Sequence, residues 1–131
     1  MVNDGNYQIW LEEGGILVIQ LVGDIKNRVA FNLEKSIFNY TSKFNGIEHI
    51  VFRMDQTSSL SSKAMTILLD YYRKDGTIYY KIPGSIKKQF YNIDILRRFE
   101  SKEYVTDDFE ELIDSLRKHV ERRADGGMGD D

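Results

Sequence analysis

His49-Ile-Val-Phe-Arg-Met-Asp55-Gln-Thr-Ser-Ser-Leu-Ser-Ser62-Lys-Ala-Met-Thr-Ile-Leu-Leu-Asp-Tyr-Tyr-Arg73 changes character twice. His49 to Met54 is short and nearly continuously apolar, which predicts a buried strand entering Asp55. Gln56 to Ser61 is a run of small polar residues with Leu60 as its one apolar anchor, and it predicts a polar loop. Met65, Leu68, Leu69 and Tyr72 then recur at helical spacing, so an amphipathic helix starts at Ser61 or Ser62 and ends at Asp75-Gly76. The stretch is therefore a strand–loop–helix unit whose serine-rich turn, Ser58 to Ser62, opens a helix. A serine there can cap free backbone N–H groups.

Working outward, Tyr7 to Leu11, the turn at Gly14-Gly15 and the β-branched run Ile16 to Val22 predict a hairpin. Its second strand is apolar enough to be buried on both faces, and Gly23-Asp24 is expected to end it. Ala30, Leu33, Ile37, Tyr40 and Phe44 form one helical stripe, stopped by Asn45-Gly46. Downstream, Thr77 to Ile82 reads as a strand closed by Pro83. Ser85 to Tyr91 and Asp94 to Phe99 read as two short helical pieces split near Asn92, and Glu103-Tyr104-Val105 as a brief edge strand. Phe109, Leu112, Ile113, Leu116 and Val120 mark a last helix. Thr106 is its expected cap, acidic residues fill its first turn, and Lys118, Arg122 and Arg123 lie at its other end.

Strands alternating with helices after an opening hairpin predict an α/β fold. The expected sheet is mostly parallel, with about four or five strands and about four helices packed on it. Residues 1–123 are expected to form a single domain, and residues 124–131 a disordered tail with nothing to pack.

With 131 residues, 41% hydrophobic and 30% charged, the chain has the composition of one folded domain. A net charge of −3 and a pI of about 5.4 offer no global attraction to nucleic acid. Lys87, Lys88, Arg97 and Arg98 are a possible local basic patch, read as a solvated helix face. The N-terminal residues Met1 to Asn6 have neither a basic stretch nor an apolar core, so no signal peptide is expected. The apolar run at Ile16 is too short to span a bilayer. The expected location is cytoplasmic, and no membrane insertion is expected.

Familiar catalytic arrangements are missing. There is no cysteine, which removes thiolate nucleophiles and sulfur-ligated zinc. The histidines, His49 and His119, have no metal-ligand spacing. No phosphate-cradling glycine loop and no Gly-x-Ser-x-Gly elbow follow a strand. Adjacent carboxylates such as Glu110-Glu111 point to different sides of a helix and do not form an acid/base pair. Tyr71-Tyr72 and Tyr79-Tyr80 invite comparison with base-stacking platforms. Tyr72 continues an apolar stripe, however, and Tyr79 and Tyr80 alternate across a strand, so packing is expected. The chain is read as a binding protein without a cofactor, not as an enzyme.

The serine turn resembles that of the STAS domain family, which includes anti-sigma factor antagonists. In that family a strand ending near an acidic residue leads to an Asp-Ser-Ser-Gly-Leu-Gly motif that opens a helix. Aligned without a gap, Asp55 falls at the acidic position and Ser62 at the regulatory serine. Leu60 and the helix continuation Ile67 to Arg73 also match. Leu17 to Ile25 resembles the family's opening strand with its Gly-Asp-Ile turn, and Ile93 to Phe99 its short helix, so the likeness spans roughly residues 7–120. Ser61, Lys63, Ala64 and Thr66 depart from the motif, replacing its aspartate, second serine and two glycines.

The resemblance implies a protein that binds a regulatory partner, such as an anti-sigma factor with serine-kinase activity, through Asp24, Ser58, Ser59, Ser61, Ser62, Lys63 and Met65. It implies phosphorylation of Ser62 as the switch, with consequences for transcription. Two other readings stand beside it. One is a scaffold of the same family that takes no phosphate. The other is an enzyme or small-ligand-binding α/β domain whose site the sequence hides.

Overall fold

The computed structural model describes residues 5–90 and 92–118. Its elements run β1 (Asn6–Glu12), β2 (Ile16–Ile25), α1 (Asn27–Lys43), β3 (His49–Leu60), α2 (Ser62–Tyr72), β4 (Thr77–Tyr80), α3 (Gly84–Lys87), α4 (Ile93–Glu100) and β5 (Glu103–Tyr104). A final helix, α5, occupies residues 109–118 of the described chain. His119, Val120, Arg122, Arg123 and the expected tail lie outside the described residues. The strands form one sheet in the order β1-β2-β3-β4-β5. β1 runs antiparallel to β2, and the remaining pairs are parallel. The α/β class, the opening hairpin and the mostly parallel sheet all match the sequence-based expectation.

Period-two alternation along β2 explains the layers. Leu17, Ile19 and Leu21 enter one core with Ala30, Leu33 and Ile37 of α1 and Ala64, Ile67 and Leu68 of α2. Ile16 and Val18 point the other way and pack with Phe109, Leu112, Ile113 and Leu116 of α5. Tyr79 and Tyr80 divide in the same manner, Tyr79 into the first core and Tyr80 into the second, both almost fully buried. The tyrosine side chains are packing elements. Tyr79 Oη donates to the Leu68 carbonyl at 2.8 Å, and burial pushes its hydroxyl well above the ordinary tyrosine range. No helix among the described residues is long and apolar enough to cross a membrane.

Several boundaries differ from the expected ones. β2 does not end at Gly23-Asp24 but runs to Ile25, and β3 continues through the predicted loop to Leu60. The helix α2 buries Ala64, Ile67 and Leu68, so its inward face is rotated from the predicted stripe, and Met65, Leu69 and Tyr72 sit at its flank. Phe44 lies beyond the last turn of α1 and is 44% exposed. β4 stops at Tyr80 because Lys81 takes a positive φ of 51° and turns the chain, while Glu103 accepts the Ile82 N–H at 2.8 Å. The α5 cap is Asp108, which accepts from the Glu110 N–H at 3.0 Å. Thr106 instead donates to the Glu111 carboxylate at 3.0 Å.

Candidate functional site

The second half of β3 is built by two irregularities. Between Gln20/Val22 and between Gly23/Asp24 the β2–β3 register shifts, each time leaving one extra residue on β3. Such bulges leave a residue unpaired and bend the strand. The second shift sets Ser58 out of the pairing, between Thr57 opposite Gly23 and Ser59 opposite Asp24. Gly23 takes a φ of 78°, a conformation that glycine adopts without a Cβ penalty. Close approach also matters at Gly5, whose N–H donates to the Asp24 carbonyl at 2.8 Å. A Cβ on Gly5 would lie 2.4 Å from that oxygen.

Side chains anchor this bent segment on both edges. On the β2 side, Thr57 Oγ1 donates to the Leu21 carbonyl at 2.8 Å, and Ser59 Oγ donates to the Asp24 carboxylate in a short contact. The Ser61 N–H then reaches the Ile25 carbonyl at 2.9 Å. On the other edge β4 pairs only with Ile50 to Arg53, so the far end of β3 has no neighbouring strand there. Gln89 supplies the missing ladder: its Oε1 accepts from the Leu60 N–H at 3.0 Å, and its Nε2 donates to the Leu60 carbonyl at 2.8 Å. Ser85 Oγ donates to the bulged Ser58 carbonyl at 3.0 Å.

At the start of α2, Ser61 is the cap. Its φ and ψ of −68° and 168° are extended, and its Oγ accepts from the Ala64 N–H at 3.2 Å. Asn27, at the start of α1, accepts from the Lys63 N–H at 3.2 Å and so satisfies a second end-of-helix donor. Ser62 is exposed, and among the described residues its hydroxyl has no hydrogen-bond partner. Ser62 also borders a groove of about 470 Å³ with an apolar floor of Leu60, Met65, Leu69, Phe90 and Ile95.

The predicted site residues are thus brought to one end of the sheet, with different exposures. Ser58 and Ser62 face solvent, Ser59 and Asp24 are half-buried and bonded to each other, and Met65 lines the groove. Lys63 is turned toward α1, with Nζ 2.9 Å from Glu34 Oε2 and 4.9 Å from the centre of the Phe31 ring. Asp55 is not at a strand end, because β3 continues for another five residues to Leu60. Instead it accepts from Arg53 Nε at 3.1 Å, and the Arg53 guanidinium lies 4.4 Å from the centre of the Phe109 ring.

Gln89, Ser85 and Asn27 carry no signal in the sequence. They matter through contacts with residues 27 to 36 positions away. Of the basic residues weighed as a patch and read as a solvated face, Lys87 is paired, its Nζ 3.0 Å from both the Glu100 and Glu103 carboxylates, and Arg98 donates to the Tyr72 hydroxyl at 3.3 Å. Arg73 and Arg98 both hold the Tyr72 hydroxyl below its ordinary pKa. Among the described residues no group of three or more His, Cys, Asp or Glu side chains is arranged to hold a metal ion.

No family model and no curated protein matches the chain by sequence. Solved structures do match it in fold. The anti-sigma factor antagonist SpoIIAA in its unphosphorylated form aligns over 85% of this chain and 97% of its own, with a TM-score of 0.65 and 17% identity. The Bacillus cell fate determinant SpoIIAA in its phosphorylated form aligns over 85% and 99%, with a TM-score of 0.68 and 16% identity. An anti-sigma factor antagonist from Mycobacterium paratuberculosis aligns over 86% and 94%, with a TM-score of 0.62 and 15% identity. At these identities the likeness is one of architecture, and it agrees with the STAS resemblance read from the serine segment: this chain has a SpoIIAA-like fold over most of its length.

Proposed function

We propose that the chain is a regulatory protein-binding module of the cytoplasm that docks a partner through the end of β3 and the start of α2. The surface comprises Asp24, Ser58, Ser59, Ser61, Ser62, Lys63 and Met65. The partner that fits the resemblance is an anti-sigma factor with serine-kinase activity, of the histidine-kinase-like ATPase class. Phosphorylation of Ser62 is the switch.

The observation that carries this reading is the division of labour between neighbouring serines. Ser61 does the structural work of capping α2, whereas the Ser62 hydroxyl is exposed and has no partner among the described residues. In the kinase reaction Ser62 Oγ would attack the γ-phosphorus of ATP, lose its proton to a base on the kinase and release ADP. The added charge, roughly −1.5 to −2, would sit at a helix N-terminus that tolerates it. It would also sit at the mouth of the apolar groove, where a docked partner would have to desolvate it.

A direct test combines the chain with ATP and a candidate anti-sigma factor kinase of that class, followed by mass spectrometry of the peptide bearing Ser62. Phosphate on Ser62 alone is expected, together with a roughly tenfold or greater loss of partner affinity in Ser62→Asp and an unchanged melting temperature. The switch is wrong if Ser62 stays unmodified and Ser62→Asp binds like the parent. Binding that still maps to this surface without phosphate would identify the scaffold variant of the same reading.

A further inference from the structure

The outer face of α1 has a composition that neither the core nor the serine surface uses. Phe31 and Phe38 are 52% and 67% exposed, although phenylalanine is a residue that chains of this size can bury at little cost. They are seven residues apart, two helical turns or about 10 Å along the axis, and so lie on one side of the helix. Lys35 stands between them, one turn from each. Phe31 is held in place by the Lys63 ammonium 4.9 Å from its ring centre.

Charge on this helix runs against the charge of the protein. The chain carries −3, yet α1 contains Arg28, Lys35 and Lys43 against a single carboxylate, Glu34. That carboxylate is already engaged by Lys63 at 2.9 Å. Lys35 and Lys43 are exposed and form no ion pair among the described residues. The face therefore presents two aromatic anchors one heptad apart with the uncompensated positive charge of Lys35 between them, while Lys43 lies round the flank of the helix.

The geometry points to a docking site for an acidic amphipathic peptide or helix, with two apolar side chains seated at Phe31 and Phe38 and its acidic side chains over Lys35. Charge argues against the other occupants. A second copy using the same face would bring two surfaces of the same positive sign together, each with a Lys35 midway between its phenylalanines. An anionic bilayer would meet the whole chain and its −3, whereas a peptide meets the helix alone. The site does not depend on Ser62.

Panning a displayed library of randomised helical peptides against the full chain, with counter-selection on the Phe31→Ala/Phe38→Ala double variant, tests this. Both positions are exposed, and an unchanged melting temperature checks that the double variant folds. Recovered peptides should carry two apolar positions one heptad apart and a surplus of Asp and Glu. One of them, titrated against the chain, should lose about tenfold in affinity with Lys35→Glu, weaken in high salt, and bind Ser62→Asp unchanged. No enrichment over the double variant, or recovery of neutral or basic sequences, overturns the proposal. Two further results also overturn it, by naming another occupant: Phe31- and Phe38-dependent binding to phosphatidylserine vesicles, and Phe31- and Phe38-dependent dimerisation in sedimentation.

Discussion

The two halves of β3 are held by different physics. His49 to Met54 lies between β2 and β4, with Val51, Phe52 and Met54 at most 1% exposed. From Ile50 to Arg53 its backbone is paired on both edges, and Val51 and Phe52 are buried on opposite faces of the sheet. Asp55 to Leu60 has β2 on one edge only. Thr57, Ser59, Ser85 and Gln89 side chains tie it down, and Leu60 is the main apolar anchor. The first half is stabilised by area removed from water, the second largely by directional side-chain bonds, the one from Thr57 buried and the others part-buried or exposed. A segment of the second kind can open locally without loss of the core, which suits a surface that meets a partner.

Core truncation should show the contrast most strongly. Phe52→Ala removes a ring stacked 5.6 Å from Tyr79 and should cost about 3–5 kcal/mol in urea unfolding, whereas Ser58→Ala should stay within about 0.5 kcal/mol. If the two cost the same, the division of β3 is wrong.

Gln89→Ala comes next. It leaves both Leu60 backbone groups without their partner and should cost about 1–3 kcal/mol. Hydrogen exchange sharpens the point: the Leu60 amide should lose protection far more than the Val51 or Phe52 amides.

Tyr79 tests the buried half through pH. Its hydroxyl pKa is raised in the folded state, by burial first, so the neutral form is favoured there while the unfolded chain ionises near the ordinary value of about 10. The sign follows: stability is fully present below about pH 10 and is lost as pH rises from there toward the folded-state pKa. Tyr79→Phe should cost about 1 kcal/mol at neutral pH through the lost bond to Leu68, and should flatten the alkaline decline seen in the parent.

The smallest effects distinguish the adjacent serines. Ser61→Ala removes the α2 cap and should cost about 1 kcal/mol, while Ser62→Ala should be within about 0.5 kcal/mol of the parent. Equal costs would mean that Ser62 shares the capping, and would remove the basis for treating its hydroxyl as available.

Much of the fold is legible in local pattern. The run Ile16 to Val22, the glycines at 14–15 and 76, and the stripe Ala30, Leu33 and Ile37 each report a local preference that packing then agrees with. The misreadings share one cause. Gln56 to Ser61 lacks β-branched alternation, and the bulges just before it and at Ser58 break the period of two, so it reads as a loop. It is a strand because β2 extends beyond Gly23 and offers a template. The rotated face of α2 arises in the same manner, since Met65 and Leu69 are apolar enough for the core but are placed at the flank that borders α3 and α4.

For the proposed site, the sequence by itself drew attention to the serine segment, because hydroxyl residues at a helix start are a local feature, and only the resemblance to the STAS family singled out Ser62. The sequence also determined the α/β class, through the alternation of periods along the chain. Tertiary structure alone decided which serine caps and which is exposed, that Lys63 turns to Glu34 and Phe31, and that Gln89 completes the edge of β3. Those outcomes depend on contacts between residues 3 to 32 positions apart, and all but the cap join elements that meet only after the chain has folded. Local preference carries no record of such meetings, because the free energy that selects them is gained only when the sheet and its helices close on one another.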